Sequence, residues 1–187
     1  MPGVNAMAKA KPKLHLAQFL IHGPTYHSLA MWRHPRTAAA GYDWARPDLY
    51  QHIARVCERG KFDMVFFADL NYVSDTYRGS LAPALRNATQ APEHDPIPLL
   101  SFMAAVTTRI GLGATYSVSH QHPFHAARLW ATLDHLSNGR TILGTGAGNP
   151  EEGVRREFQA LGWDFKKRTA IFEEGLNAIR QLWTTGK

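Results

Sequence analysis

The sequence predicts an α/β protein built on a parallel sheet, and three observations carry that reading. Short apolar runs alternate with longer stretches of helical periodicity along the chain. The runs, above all DMVFFADL, are apolar on both faces, as parallel strands covered by helices require. Joins from helix to strand are short, RGKF, TTR and SNGR, whereas those after the first two strands run over about residues 21–46 and 71–96. Connections in compact domains usually take only about 4–6 residues.

The elements follow in order. LHLAQFL, residues 14–20, is the first strand. Leu49, Ile53 and Val56 then recur at helical spacing, with Pro47 and Asp48 in the first turn. DMVFFADL, residues 63–70, is the second strand, and Leu99, Met103 and Val106 mark the next helix. IGLGATYSV is the third strand; Ala126, Leu129, Leu133 and Leu136 mark the helix after it. RTILGTG is the fourth strand. A shorter helix near residues 151–160 precedes a last one carrying Phe172, Leu176, Ile179 and Trp183.

Bulk properties narrow the function classes. The 187 residues suffice for one sizeable core, and 44% hydrophobic with 19% charged residues is an ordinary globular balance. The net charge of +6 is scattered and no nucleic-acid-binding motif accompanies it, which argues against a nucleic-acid partner. The single cysteine, Cys57, sits on the apolar side of a helix and reads as a buried, inert thiol in a reducing cytoplasm. No apolar stretch is long enough to span a membrane. Residues 1–13 are small and basic without the apolar middle of a signal peptide, so a flexible tail is expected there, with Met7 as an alternative start.

Both long joins leave the carboxyl ends of strands, hence lie on one face of the sheet, where parallel α/β proteins carry their sites. A ligand site is expected near residues 21–46, 71–96, 116–122 and 145–150. RTILGTGAGNP, residues 140–150, brings three alternate glycines to that face. A dinucleotide fingerprint needs a third glycine three positions after the second, and Asn149 stands there instead. Two other readings remain: the small residues end a strand tightly, or they let a flat ligand lie against the strand ends. His120, His122 and His125 invite a metal reading, but His122 precedes Pro123, which suits a helix start. No carboxylate or cysteine completes a recognisable ligand set with them.

Four segments point further: TYHSLAMWRHP (25–35), ERGKFDMVFFADL (58–70), RIGLGATYSVSHQHPFHAARLWATLDHLSNGR (109–140) and EFQALGWDFKKRTAIFEEGLNAIRQLW (157–183). Together they resemble the bacterial-luciferase-like flavin monooxygenases over about residues 14–184. HSLAMWRHP and GKFD…FFAD look most like the nitrilotriacetate and dibenzothiophene-sulfone monooxygenase branch. The resemblance implies a (β/α)₈ TIM barrel, of which residues 14–187 would supply about the first four βα units as its N-terminal half. A full barrel takes about 250 residues. The expectation is therefore either the first part of a longer protein, or a fragment that pairs with another chain to bury its sheet edge.

The resemblance also implies reduced FMN as cofactor, supplied by a separate NAD(P)H:flavin reductase, and oxygen transfer from dioxygen to a small organic substrate. It implies a homo-oligomer, a cytoplasmic setting and no metal. By position, Asp69 matches an aspartate near the flavin, or is a solvated strand-end acid. Thr115 matches a residue contacting the ring system, or simply fits its strand. Asn149 is a flavin contact or a turn residue before Pro150. His27 lies in the family's histidine-and-tryptophan segment, as a proton-moving catalytic residue or an exposed loop histidine. The histidine and tyrosine that the branch carries ahead of the last helix are replaced by Phe165 and Thr169. That departure keeps open an F420-dependent oxidoreductase on the same barrel. A non-catalytic half-barrel that acts only in association is a third reading. Tyr26, Trp32, Tyr42, Trp44, Tyr72 and Tyr77 in the long joins suggest a pocket for an apolar or aromatic compound.

Overall fold

The computed structural model of the chain describes residues 13–23, 35, 39, 43–89, 91–148, 150 and 152–185. Four strands, β1 (Ala17–Leu20), β2 (Met64–Phe67), β3 (Gly111–Thr115) and β4 (Thr141–Gly144), pair in parallel in the order β1-β2-β3-β4. Helices α1 (Pro47–Arg59), α2 (Ala82–Arg86), α3 (Pro96–Ala104), α4 (Pro123–Ser137), α5 (Glu152–Ala160) and α6 (Arg168–Thr184) connect and follow them, with a 3₁₀ turn at Phe165–Lys167. Each strand lies beside its predecessor, so the order never reverses. A doubly wound sheet binds dinucleotides at such a reversal. The winding here is that of a βα barrel, and the dinucleotide reading of the glycines falls with it.

The two faces of the sheet divide cleanly by register. Leu20, Val65, Phe67, Leu112 and Ala114 face the helices and pack with Tyr50, Ala54 and Cys57 of α1, Leu100 and Met103 of α3, and Trp130 and Leu133 of α4. The opposite face carries Phe19, Met64, Phe66 and Ile142 beside glycines. A Cβ at position 111 would come within 2.9 Å of Ile142 Cδ1, and one at position 144 within 2.6 Å of the Phe66 ring. The small residues of β3 and β4 therefore let large neighbours lie across the sheet. Phe19 and Ile142 remain 50% and 38% exposed on this inner face.

Two of the helix faces differ from those the spacing predicts. In α4 the buried residues are Ala126, Ala127, Trp130, Leu133 and Ser137, while Leu129 and Leu136 are exposed. Trp130 offers the largest area to bury, and the helix turns to seat it. In α1, Tyr50, Ala54 and Cys57 are buried and Val56 is exposed. Cys57 is thus inward, and burial pushes its thiol up. The strand ladders are shorter than the apolar runs, because the flanking residues leave the sheet for loops. Helix α2, with Pro83 in its first turn, was not anticipated within the second long join.

The amino ends of the strands are tied together by two charged side chains. Glu58, near the end of α1, accepts hydrogen bonds from the backbone N–H groups of Thr108, Arg109 and Ile110 at 2.8–3.1 Å and from the Thr108 hydroxyl at 3.3 Å. Arg140 donates to the carbonyls of Ser137, Ile110, Ala104 and Thr107 and to the Thr107 hydroxyl. In βα barrels this end serves stability, which leaves the other end for function.

Candidate functional site

At the carboxyl ends of β2, β3 and β4 lies a cavity of about 200 Å³. Asp69 and Tyr72 form one wall, Thr115 and Tyr116 the next, His120, Glu157 and Phe158 a third, and Gly146 and Gly148 the fourth. Gly146 leaves its side open, since a Cβ there would meet nothing within 4 Å. Gly148 has φ +81°, a left-handed conformation that turns the chain from β4 into α5. Gly153 lies flat against the Tyr72 ring, which a Cβ would overlap. Arg156 holds Asp75 through paired bonds of 2.5 and 2.9 Å, fixing α5 to the segment after β2. The glycines thus end the strand tightly at Gly144, against the Phe66 ring, and leave open space at Gly146.

The titratable groups around this opening are unusually placed. His22, two residues beyond β1, is 2% exposed. Its Nε2 donates to the Ala68 carbonyl at 2.6 Å and lies 3.4 Å from Asp69 Oδ1, while Nδ1 has no partner. Burial holds the imidazole below its usual range. Burial, with Asp95 and Glu157 nearby, pushes the Asp69 carboxyl up to about 7. Glu93 rises to about 7 through burial and the charge of Asp69. On the far wall, His120 Nε2 sits 3.7 Å from Glu157 Oε2, too long for a hydrogen bond. Burial lowers the His120 imidazole and raises the Glu157 carboxyl. Thr145 Oγ1 and His120 Nε2 are buried without hydrogen-bond partners. Such atoms await a ligand or water, because an unsatisfied buried polar group costs about 1–3 kcal/mol.

Of the four residues singled out from sequence, Asp69 and Thr115 line the cavity. His27 and Asn149 fall outside the described residues. Among the loop aromatics, Tyr72 lines the cavity, and Trp44 meets His94 in a tilted ring contact with centroids 5.0 Å apart. Tyr77 borders a separate hollow with Ser74 and Thr76; Tyr26, Trp32 and Tyr42 lie outside the described residues. His122 caps α4 by accepting from the Phe124 N–H at 3.3 Å, which supplies its role without a metal. Phe165, at a position where the resemblance expects a histidine, lies between the guanidinium groups of Arg155 and Arg168 at 4.6 and 4.5 Å.

Sequence reasoning passed over His22, Glu93 and Glu157. His22 had a signal, since it ends an apolar strand run on the functional face. Glu93 reaches the site only because its long join folds back, and no local pattern announces that.

A parallel βα-barrel sheet with a cavity at the strand carboxyl ends is the class that the fold defines. The chain belongs to the luciferase-like monooxygenase family, whose model matches residues 25–187. It is 37% identical over 177 residues to a dibenzothiophene-sulfone monooxygenase of Rhodococcus erythropolis, covering 92% of this chain and 38% of that protein. It is 37% identical over 161 residues to nitrilotriacetate monooxygenase component A of Aminobacter aminovorans, covering 81% and 34%. The crystal structure of a long-chain alkane monooxygenase superposes with a TM-score of 0.82 at 29% identity, over 94% of this chain and 40% of that one. The chain therefore spans well under half the length of these relatives. No helix among the described residues is long and apolar enough to cross a membrane.

Proposed function

We propose that the protein is an FMN-dependent, two-component monooxygenase, and that this chain supplies the wall against which the flavin ring lies. The cavity beside Gly146 carries the proposal. It lies at the carboxyl end of a barrel sheet, is open at Gly146, and is lined by His120, whose buried Nε2 has no hydrogen-bond partner. Its volume of about 200 Å³ falls below the ~300–1,000 Å³ of a complete ligand pocket, which suits one wall of a shared site. The ring edge is assigned to this opening, where Gly146 leaves the strand end clear beside Asp69 and Thr115.

Reduced FMN, delivered by an NAD(P)H:flavin reductase, would supply the electrons that activate dioxygen toward a small organic substrate. The chain's own residues would position and shield. The Thr115 hydroxyl and the Asp69 carboxyl offer hydrogen bonds to a polar ring edge. A carboxyl group raised to about 7 can hold or release a proton at neutral pH. Phe158 and Tyr72 exclude water from the same opening. His27 is proposed as a further proton-moving group and Asn149 as a further ring contact. The named activities of the relatives favour FMN over F420, since a deazaflavin serves as a hydride carrier.

Anaerobic titration of the protein with reduced FMN and, separately, with reduced F420 tests this reading. Saturable FMN binding with weak F420 binding is expected. Preference for F420 would replace the oxygenase reading with a hydride-transfer one, and binding of neither would favour a non-catalytic chain.

A further inference from the structure

We infer that Glu157, backed by His120, is a proton-donating catalytic residue on the far wall of the strand-end cavity, an assignment that rests on the flavin reading of that cavity. Glu157 meets the ligand, and His120 acts through it as a positioning residue. The two side chains are 12% and 13% exposed and both line the cavity.

Three strand-end segments converge on Glu157. His120 comes from the segment after β3, where its backbone N–H donates to the Ser117 carbonyl at 3.2 Å. Its ring stands edge-on to Phe158 with centroids 5.3 Å apart, so Glu157 and Phe158 of α5 both meet it. From the segment after β2, the Asn71 N–H donates to the Glu157 carboxylate. The Arg156 bridge to Asp75 and the seat of Gly153 against the Tyr72 ring anchor α5 to that same segment. The carboxylate is therefore held in place by its neighbours along the helix.

The imidazole and the carboxylate are poised to exchange a proton. His120 Nε2 is buried without a partner, and Glu157 Oε2 lies 3.7 Å from it. A small side-chain rotation closes that gap to the ~2.7–2.9 Å of a charge-assisted bond. Burial lowers the imidazole and raises the carboxyl, which brings their proton affinities together. The other carboxyl on the cavity wall is Asp69, which feels the charges of Asp95 and Glu157. Among the described residues no lysine or arginine lines the cavity. A negatively charged ring edge entering there meets like charge, which draws a proton onto the carboxyl groups. In the overall oxygenation, singly anionic reduced flavin, dioxygen, substrate and one proton give oxidised flavin, oxygenated product and one water. The Glu157 carboxyl gives that proton toward the water formed. The His120 imidazolium returns one to the carboxylate and is recharged from solvent.

The test is anaerobic calorimetric titration of the full protein with reduced FMN at pH 7, in two buffers of different ionisation enthalpy, which counts protons taken up per flavin bound. Asp69 titrates in the same cavity, so the difference between proteins reports Glu157 and the total does not. Wild type should take up about half a proton or more beyond Glu157→Gln, which keeps an acceptor for the Asn71 N–H. His120→Gln makes the same comparison from the other side of the pair and should lose part of the uptake. In flavin-free protein, the imidazole resonance that His120→Gln removes should titrate at lower pH in Glu157→Gln than in wild type, because the carboxylate supports the imidazolium. A contact that only builds the wall would move neither readout, and circular dichroism checks that each variant is folded. Equal proton uptake in wild type and the folded variants, or an imidazole titration indifferent to Glu157, overturns the assignment and leaves flavin binding standing. Absence of saturable FMN binding overturns the flavin reading and the use of the proton with it, while the imidazole titration still decides whether the pair is coupled.

Discussion

Removing the Glu58 carboxylate should loosen the amino end of the barrel sheet by an amount the geometry bounds. Glu58 accepts from three consecutive backbone N–H groups, the shortest at 2.8 Å, and from one hydroxyl. Hydrogen bonds to a charged group contribute about 1.5–3 kcal/mol each when they leave a buried partner behind. Thr108 and Arg109 are exposed and can turn to water, whereas Ile110 is buried. One fully costly bond and partial losses at the others give about 2–4 kcal/mol for Glu58→Ala. Glu58→Gln retains one oxygen acceptor and should lose about half of that. The same bonds hold the carboxyl down, to about 2 from 4.5. Its folded value is depressed, so its contribution is present above about 4.5 and is lost as pH falls toward about 2. Urea unfolding of wild type and Glu58→Gln should therefore differ at pH 7 and converge near pH 2–3. Equal midpoints at pH 7, or a difference that does not shrink in acid, would refute the assignment.

Arg140→Met strands the carbonyls of Ile110, Ala104 and Thr107 without their donor and should cost about 3 kcal/mol or more, read as a lowered urea midpoint. Glu93, raised from 4.5 to about 7, carries the opposite pH sign from Glu58. Its contribution is fully present below about 4.5 and is lost as pH rises through about 7, so the protein should melt at a lower temperature at pH 8 than at pH 5. Glu93→Gln should flatten that difference, as thermal melts at the two pH values will show.

Much of this fold was legible because parallel strands covered on both sides leave a strong mark. DMVFFADL cannot satisfy its two apolar faces except inside such a layer, and the short helix-to-strand joins fix the direction of travel. Helix faces were less legible. Spacing alone treated Leu129 and Leu136 as equal to Leu133, whereas seating Trp130 decides which stripe is buried. The cavity was legible to the extent that topology orders it: Asp69 and Thr115 sit at strand ends that must share a face. Glu93 was not, because its position depends on a fold-back allowed by Gly23 and the His94–His22 backbone bond. His120 drew notice for its histidine neighbours, yet its surroundings are Phe158 and Glu157, contributed by a helix far along the chain.

The central claim is that the opening between the ends of β3 and β4 receives the flavin ring. Gly146→Leu tests it most directly, because a side chain at 146 meets no protein atom within 4 Å at its Cβ and instead fills the opening. Anaerobic fluorescence titration with reduced FMN should show affinity reduced by about tenfold or more, equivalent to ~1.4 kcal/mol, with circular dichroism and melting temperature unchanged. Wild-type affinity in a folded Gly146→Leu variant would place the ring elsewhere and contradict the account.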